Sequence, residues 1–293
     1  MKRTVTMCAP AKINLFLDVK ELRGDGYHNI ESVMQSISLC DKVTVTVDTD
    51  SSTGNITVTS SDSNVPVNED NICSKAVRKF FEYCGEPVHD TDIYIEKNIP
   101  MQAGLGGGSS DAAAVIAALN NLLGVFLDSE ELCNIASNAG SDVPFCIVGR
   151  TQYCTGKGDM LRPLPLLPDC KIVVAKGSGA VSTADAYKNI DSVPPLNNEK
   201  TASAFCSEDI NAIAASCGNI FEKTVNLPEI GEIKGIMKEC GALCSCMTGS
   251  GSAVFGIFTK NASAAGCADR LKAMGYFAAA ADPVPYGVKR IDG

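Results

Sequence analysis

Between Asp92 and Leu123 the chain runs from an alternating segment, through four glycines in five positions, into an alanine-rich segment. Few folds accommodate that order. Asp92-Ile93-Tyr94-Ile95-Glu96 alternates polar and apolar residues, as a half-buried strand does. Asp111 to Leu123 is rich in Ala and Leu and lacks Gly and Pro, which predicts a helix. Between them, in PMQAGLGGGSSDAAA (Pro100 to Ala114), stand Gly104, Gly106, Gly107 and Gly108, then Ser109 and Ser110. Such a backbone has few steric limits and no side chains to obstruct a ligand. Its N–H groups can converge on one point, backed by the positive end of the following helix, which makes an anion site suited to phosphate. The plainer reading is a flexible turn closed by a serine cap, but one or two glycines would serve a turn. Two familiar phosphate loops are excluded. No lysine follows the glycines, as a P-loop requires. The dinucleotide fingerprint fits only over Gly104-Leu105-Gly106-Gly107-Gly108, with Ser109 where the third small residue belongs and no strand-end acid after the helix.

A chain of 293 residues is long enough for one large domain or two modest ones. Its net charge of −9 argues against a protein that coats nucleic acid or anionic membrane. A polyanionic small molecule is still allowed, held by local lysines and backbone amides. No apolar run approaches the ~20 residues of a membrane span. Lys2 and Arg3 are followed by Pro10, Lys12 and Asn14, which interrupt any signal-peptide core, so the expected compartment is the cytosol. The 14 cysteines form no CxxC pair. Cys240, Cys244 and Cys246 cluster in sequence, and with His28 and His89 as the only histidines they read as buried reduced thiols before they read as a zinc site.

Val5 to Val19 predicts two short strands broken at Pro10, with Lys12 and Asn14 facing one way and Ile13 and Leu15 the other. A lysine there either reaches solvent or meets an anion. Arg23 to His28 is a tight turn presenting Tyr27 beside His28, either a surface feature or a pair able to stack on a flat heterocycle. Glu31 to Val47 reads as a strand, with Asn55 to Ser60 as its hairpin partner across Asp48 to Gly54. Asn71 to Cys84 has helical spacing. Ser129 to Ala139 is a further helix with Ser129 as N-cap. Asp142 then precedes an apolar run, placed for chemistry or for capping the next turn. Val148 to Met160 reads as hairpin strands. Arg162 to Pro168 holds three prolines and reads as a linker, so the domains are expected at 1–162 and 163–293. Beyond it the expected helices are Ser182 to Lys188, Thr201 to Ala215, Pro228 to Glu239 and Ala262 to Met274. Strands are expected at Lys171 to Ala175, Ala253 to Phe258 and Phe277 to Ala281.

PAKINLFLDV near the start, PMQAGLGGGSSDAAA in the middle and MTGSGSAVFGIF near the end resemble, in order and spacing, the three motifs of the GHMP kinases, which phosphorylate small alcohols. RGDGYHNIESVMQSISLCD and GSDVPFC resemble one branch of that superfamily, whose acceptor is 4-diphosphocytidyl-2-C-methyl-D-erythritol in the non-mevalonate isoprenoid pathway. The similarity covers nearly the whole chain. It implies an α+β, two-domain fold, with an N-terminal domain like the second domain of ribosomal protein S5 and a ferredoxin-like C-terminal domain. The active site would lie in the cleft between them.

The resemblance also implies roles, with ATP and Mg²⁺ as cofactors. Pro100 and Gly104, Leu105, Gly106, Gly107, Gly108, Ser109 and Ser110 would bind ATP, with Asn71 near the adenine and Ser109 or Ser110 beside Mg²⁺. Asp142 would take the proton from the acceptor hydroxyl, with Lys12 close by to stabilise charge. Asn14 and Thr183 would hold the methylerythritol hydroxyls. Tyr27 and Tyr187 would stack on the two faces of cytosine, and His28 would bond its edge. Gly249 and Gly251 would let the third motif approach the glycine loop. VSTADAY at 181–187 aligns less tightly than the rest. Two alternatives are another small-alcohol kinase of the superfamily, which has no need of Tyr27 and His28, and a nucleotide-binding relative that has lost catalysis. The cysteine load is no part of the family pattern.

Overall fold

A computed structural model of the chain describes residues 1–68, 71–187, 190–196 and 201–291. The first half builds β1 (Lys2–Leu22), β2 (His28–Asp48), β3 (Ile56–Ser60), α1 (Ile72–Cys84), β4 (Asp90–Glu96) and α2 (Gly107–Leu123). It continues through α3 (Ser129–Ala139), α4 (Val143–Val148), β5 (Thr151–Thr155) and β6 (Met160–Pro163). After the proline-rich segment come β7 (Lys171–Lys176), α5 (Thr183–Tyr187), α6 (Thr201–Phe205), α7 (Ile210–Ala215) and β8 (Gly218–Asn219). The chain closes with α8 (Pro228–Glu239), β9 (Cys244–Met247), β10 (Val254–Phe258), α9 (Asn261–Ala273), β11 (Phe277–Ala281) and β12 (Lys289–Arg290).

Two sheets result. The larger has the order β12-β1-β2-β4-β3, with β5 and β6 continuing from β2 and β8 added to β1. The smaller is antiparallel, β11-β7-β10-β9. One apolar cluster packs α1, α2 and α3 onto the first sheet through residues such as Val43, Val45, Phe80, Ile93 and Leu119. A second cluster sits where the sheets meet, joining Ile13, Leu15 and Phe16 of β1 to Ile172, Val174, Phe255 and Ile257 of the smaller sheet. β1 is therefore covered on both faces from Met7 to Val19, which accounts for its apolar content there.

Pro10 does not break the first strand. It pairs with Cys40, and the β1–β2 register shifts between Pro10 and Lys12 and again between Asn14 and Phe16. A proline is tolerated at such an irregularity, and the extra residues turn the strand locally. Val5, Met7 and Ala9 belong to the first cluster, Ala11, Ile13 and Leu15 to the second, and Leu17 and Val19 to the first again. The two shifts bracket Lys12 and Asn14 and reverse which side chains face the smaller sheet over that stretch alone.

Other expectations are corrected. Ile56–Ser60 is not the hairpin partner of β2 but pairs parallel with β4. The cause is Asp90, whose carboxylate accepts from Ser51 Oγ (2.6 Å), Thr53 N (3.0 Å) and Asn55 N (3.2 Å), fixing the preceding loop against the start of β4. The helix after the glycines begins at Gly107, four residues before the alanine run at Asp111. The N-cap of α3 is Asp128, not Ser129, in a capping box with Glu131. The apolar run after Asp142 is the short helix α4, entered through Pro144 in its first turn. Thr201 to Ala215 is two helices, because Asp209 caps a new start through Asn211 N (2.9 Å). Lys188, the expected end of the helix from Ser182, lies outside the described residues. Among the described residues no helix is long and apolar enough to cross a membrane, and no cluster of His, Cys, Asp and Glu could hold a metal ion.

Candidate active site

The loop from Pro100 to Gly106 enters α2 with positive φ at Gln102 (49°), Gly104 (72°) and Gly106 (69°). A side chain is excluded at two of these positions by neighbours as well as by φ. A Cβ on Gly104 would stand 2.1 Å from the carbonyl oxygen of Thr248, and one on Gly106 would stand 2.8 Å from Lys12 Cγ. The loop is thus packed against β1 on one side and the third motif on the other, with Lys12 N donating to Leu105 O (2.9 Å) and Ala253 N to Ala103 O (3.1 Å). Gly106 stands at the N-cap, and among the described residues no side chain caps the first turn of α2. Its leading amides are free to meet an anion.

This loop is the wall between two cavities. One, of about 270 Å³, is lined by Ile72, Lys97, Pro100 and the stretch from Met101 through Gly104, Leu105, Gly106, Gly107 and Gly108 to Ser109. The other, of about 480 Å³, is lined by Lys12, Asn14, Asp142, Thr183, Tyr187 and Gly249 among others, and shares Gln102, Gly104 and Gly106 with the first.

In the larger cleft the buried ammonium of Lys12 lies 3.3 Å from Asp142 Oδ2 and donates to Asn14 Oδ1 at 2.7 Å. Asn14 is fully buried and heavily committed. Its Oδ1 also accepts from Gly249 N (3.0 Å) and its Nδ2 donates to Ser32 Oγ (2.8 Å), while its backbone N donates to Thr248 Oγ1 (2.9 Å). Gly249 is held from its other end by Asn219, whose Nδ2 donates to the carbonyls of Met247 and Gly249, both at 2.8 Å. Asp142 stands at the start of α4 without capping it, its side chain partly open to the cleft. Asp142 is therefore available for chemistry.

Tyr187 lines the same cleft. Its ring lies 5.3 Å from that of His28 and 4.8 Å, edge-on, from Phe221. Burial and the nearby charge of Asp142 push its phenol up to about 12, so it stays neutral near pH 7. Thr183 Oγ1 meets Ser250 Oγ at 3.2 Å. Tyr27 is 58% exposed and, with His28, lies outside the lining of the cleft; Lys157 Nζ is 5.9 Å above its ring. His28 Nε2 contacts Asp191 Oδ1 at 2.9 Å. So Lys12, Asn14, Asp142, Thr183 and Tyr187 come together, and Tyr27 and His28 stand at the margin.

Two of the residues expected to meet the nucleotide are occupied otherwise. Asn71 is the N-cap of α1, accepting from Cys73 N (2.8 Å) and donating to Pro66 O (2.5 Å), and it is not in the cavity wall. Ser110 is fully buried, with Oγ donating to Pro10 O at 2.8 Å. Of the two loop serines, Ser109 alone lines the cavity.

Several residues around the site carry little readable signal in the sequence. Lys97, at the end of β4, lies between Asp41 and Asp111 (Oδ2 at 2.8 Å) behind the glycine loop. Two carboxylates share that one buried ammonium. Burial holds the Asp111 carboxyl well above the usual range, at about 7, and among the described residues its Oδ1 has no hydrogen-bond partner. Asp41 Oδ1 also accepts from Asn98 N (2.6 Å) and Ile99 N (2.8 Å), fixing the entry to the loop. A lysine ending a strand just before a proline and a glycine run could have drawn attention to Lys97; nothing marks Asn219.

Known proteins match this arrangement. Models of the GHMP kinases N-terminal domain and C-terminal domain match residues 71–150 and 201–276. A 4-diphosphocytidyl-2-C-methyl-D-erythritol kinase from Syntrophomonas wolfei is 40% identical over 272 residues, 90% of this chain and 93% of the relative. One of the same name from Caldicellulosiruptor saccharolyticus is 41% identical over 270 residues, covering 90% and 91%. Among solved structures, a 4-(cytidine 5'-diphospho)-2C-methyl-D-erythritol kinase superposes with TM-score 0.75 at 33% identity, covering 96% of this chain and 98% of the other. Homoserine kinase from Cytophaga hutchinsonii superposes at 0.77 with 21% identity, covering 99% and 98%, a likeness of fold. With the glycine loop, the Lys12–Asp142 pair and the third-motif loop meeting at one cleft, and with domain models and relatives spanning both halves, the chain belongs to the GHMP kinases.

Proposed function

We propose that this protein transfers the γ-phosphoryl group of ATP to the 2-hydroxyl of 4-diphosphocytidyl-2-C-methyl-D-erythritol, the acceptor named for its relatives at about 40% identity. The observation that carries the chemistry is the pairing of Lys12 with Asp142 on the acceptor side of a glycine loop. Phosphoryl transfer asks a protein mainly for positioning and charge stabilisation. Backbone amides at the start of α2 cradle the ATP phosphates. Asp142 accepts the proton of the attacking hydroxyl, and Lys12 orients that carboxylate and stabilises charge building between hydroxyl and phosphoryl group. Asn14 fixes Lys12 and the backbone at Gly249, so its contribution is to hold the site's geometry as well as to meet the acceptor.

Mg²⁺ takes hard oxygen ligands and is shared with substrate phosphates. Ser109 fits that demand, because its neighbour Ser110 is spent on Pro10 while Ser109 lines the nucleotide cavity. The cation would neutralise phosphate charge during transfer.

Tyr187, its ring tilted beside that of His28, is one face of the cytosine pocket, and Tyr27 closes the other from its exposed turn. Lys157, between the cleft and Tyr27, is placed for the acceptor's diphosphate. Its pairing with Asp159 at 3.5 Å is partly exposed and competes weakly. We place the domain division at 162/163, with β8 and β12 returning to the first sheet to join the halves, and the enzyme in the cytoplasm. A coupled ADP-release assay is expected to show turnover with the cytidyl acceptor far above that with mevalonate or homoserine. Equal rates on all three would overturn the choice of acceptor.

A further inference from the structure

The cysteines are absent from everything above, yet several of them meet in space. Three pairs of thiols interact: Cys8 with Cys40, Cys217 with Cys244, and Cys240 with Cys267. Cys217 and Cys244 adjoin the apolar cluster between the sheets, and Cys267 is buried in α9.

Cys8 and Cys40 are differently placed. On the polar face of the β1–β2 pair, Thr4 meets Thr46 (2.9 Å) and Thr6 meets Thr44 (3.0 Å), and the next residues along that face are Cys8, opposite Lys42, and Cys40, opposite Pro10. The two cysteines are therefore diagonal cross-strand neighbours, roughly 7–8 Å apart at Cα, a little beyond the ordinary disulfide span, so closing a bond between them must shift the two strands locally. Neither belongs to an apolar cluster, and Cys40 is partly open to solvent. The Cys8 S–H beside it holds the Cys40 thiol below the ordinary range, helped by Lys42 and Lys289 and opposed by burial and Asp41. The Cys8 thiol is held above it by Cys40. A thiolate-forming attacker thus stands next to a second thiol.

The residues beside the pair are tied to both ends of the glycine loop. Asp41, the residue after Cys40, holds Lys97 and the amides of Asn98 and Ile99 at the loop's entry. Pro10, opposite Cys40, receives the Ser110 hydroxyl just past its exit.

We propose that Cys8 and Cys40 form a thiol-oxidation site, at which a disulfide oxidant closes a cross-strand disulfide that loosens the hold of the glycine loop on nucleotide. The Cys40 thiolate attacks one sulfur of the oxidant, making a mixed disulfide and expelling a thiolate. Cys8 releases its proton to solvent and attacks the Cys40 sulfur, expelling the second thiolate. The two protein thiols lose two electrons and the oxidant disulfide becomes two thiols; a dithiol reductant reverses both steps. The coupling to nucleotide rests on the loop's role given above.

The test treats the full chain with oxidised glutathione at neutral pH, then applies peptide mass spectrometry and titration with a fluorescent ATP analogue to the same samples. A Cys8–Cys40 cross-link is expected, with the analogue's Kd raised about fivefold or more, the low end of ordinary coupling between sites, and restored by dithiothreitol. Cys8→Ser should stop at a glutathione mixed disulfide on Cys40, and Cys40→Ser should leave Cys8 unmodified. Absence of that cross-link, earlier closure of Cys217–Cys244 or Cys240–Cys267, or a cross-link with unchanged Kd would each overturn the proposal. Because no readout uses the acceptor, failure of the acceptor assignment would show separately, in the turnover assay.

Discussion

The two cavities on either side of the glycine loop are built from different materials. The nucleotide side is mostly main chain: amides of Gly106 to Ser109, a helix N-terminus, and two glycines, Gly104 and Gly106, that admit no side chain. The acceptor side is mostly side chains from distant segments, with Lys12 and Asn14 on β1, Asp142 before α4 and Tyr187 ending α5. A phosphate can be held by dipoles that any sequence offers if the backbone is shaped for it. Choosing one alcohol and removing its proton needs particular functional groups. Substitution should therefore hurt the acceptor side by chemistry and the nucleotide side by shape.

The largest expected effect lies on the acceptor side. Asp142→Asn keeps the shape and removes the base, and kcat should fall about 10²-fold or more, with the KM for ATP little changed; an unaltered kcat would break the comparison at its centre. On the nucleotide side, Gly104→Ala would drive a Cβ into Thr248 O at positive φ, costing about 1–3 kcal/mol in overpacking alone. Gly108→Ala meets only Ile72 Cγ2 at 3.7 Å and should leave stability equal or slightly higher, as Ala replaces Gly in a helix by roughly 0.5–1 kcal/mol. Thermal denaturation of the two variants checks this, and equal losses would show that shape is not what the loop requires. Tyr187→Leu should raise the KM for the cytidyl acceptor roughly tenfold, since stacking on a base is worth about 1–3 kcal/mol, with ATP affinity unaffected in the same assay. The smallest effect concerns Asp111. Burial raises its folded-state carboxyl to about 7 from an ordinary 3.8, so between those values the native state keeps a proton that the unfolded state has released. The stability it contributes therefore declines as pH rises from about 4 to about 7. In Asp111→Asn that component should vanish, and urea midpoints across this interval would read the change.

The same contrast explains what could be read from the sequence. The strand, glycine loop and helix were plain because backbone requirements appear as composition: runs of glycine, alternation, alanine. Even so, the start of α2 was misplaced by four residues, since Gly107 to Ser110 are poor helix formers that tertiary contacts make helical; Ser110 is tied to Pro10. The placement of β3 turned on one carboxylate, that of Asp90, far along the chain from the loop it holds. Lys12 and Asp142 were ambiguous from their own surroundings and gained roles only through family resemblance, because 130 positions separate two groups that lie 3.3 Å apart. Asn219 and the Asp41–Lys97–Asp111 group remained unseen for the same reason: polar groups that serve by position look like any other polar residue until the chain has folded.

β1 runs 21 residues and carries Lys12 and Asn14 between two register shifts. Alternation along a strand has period two, so gaining or losing one residue there would exchange inside for outside downstream of the change. A point replacement at Ile13 would alter one packing contact. A one-residue deletion between Pro10 and Lys12 would instead turn the ammonium toward the second sheet and present Ile13 to the cleft. The first strand should thus accept changes of letter far more readily than changes of length. A scan of single-codon deletions along residues 2–22, set beside substitutions at the same places, would draw the outline of the active site without any ligand bound.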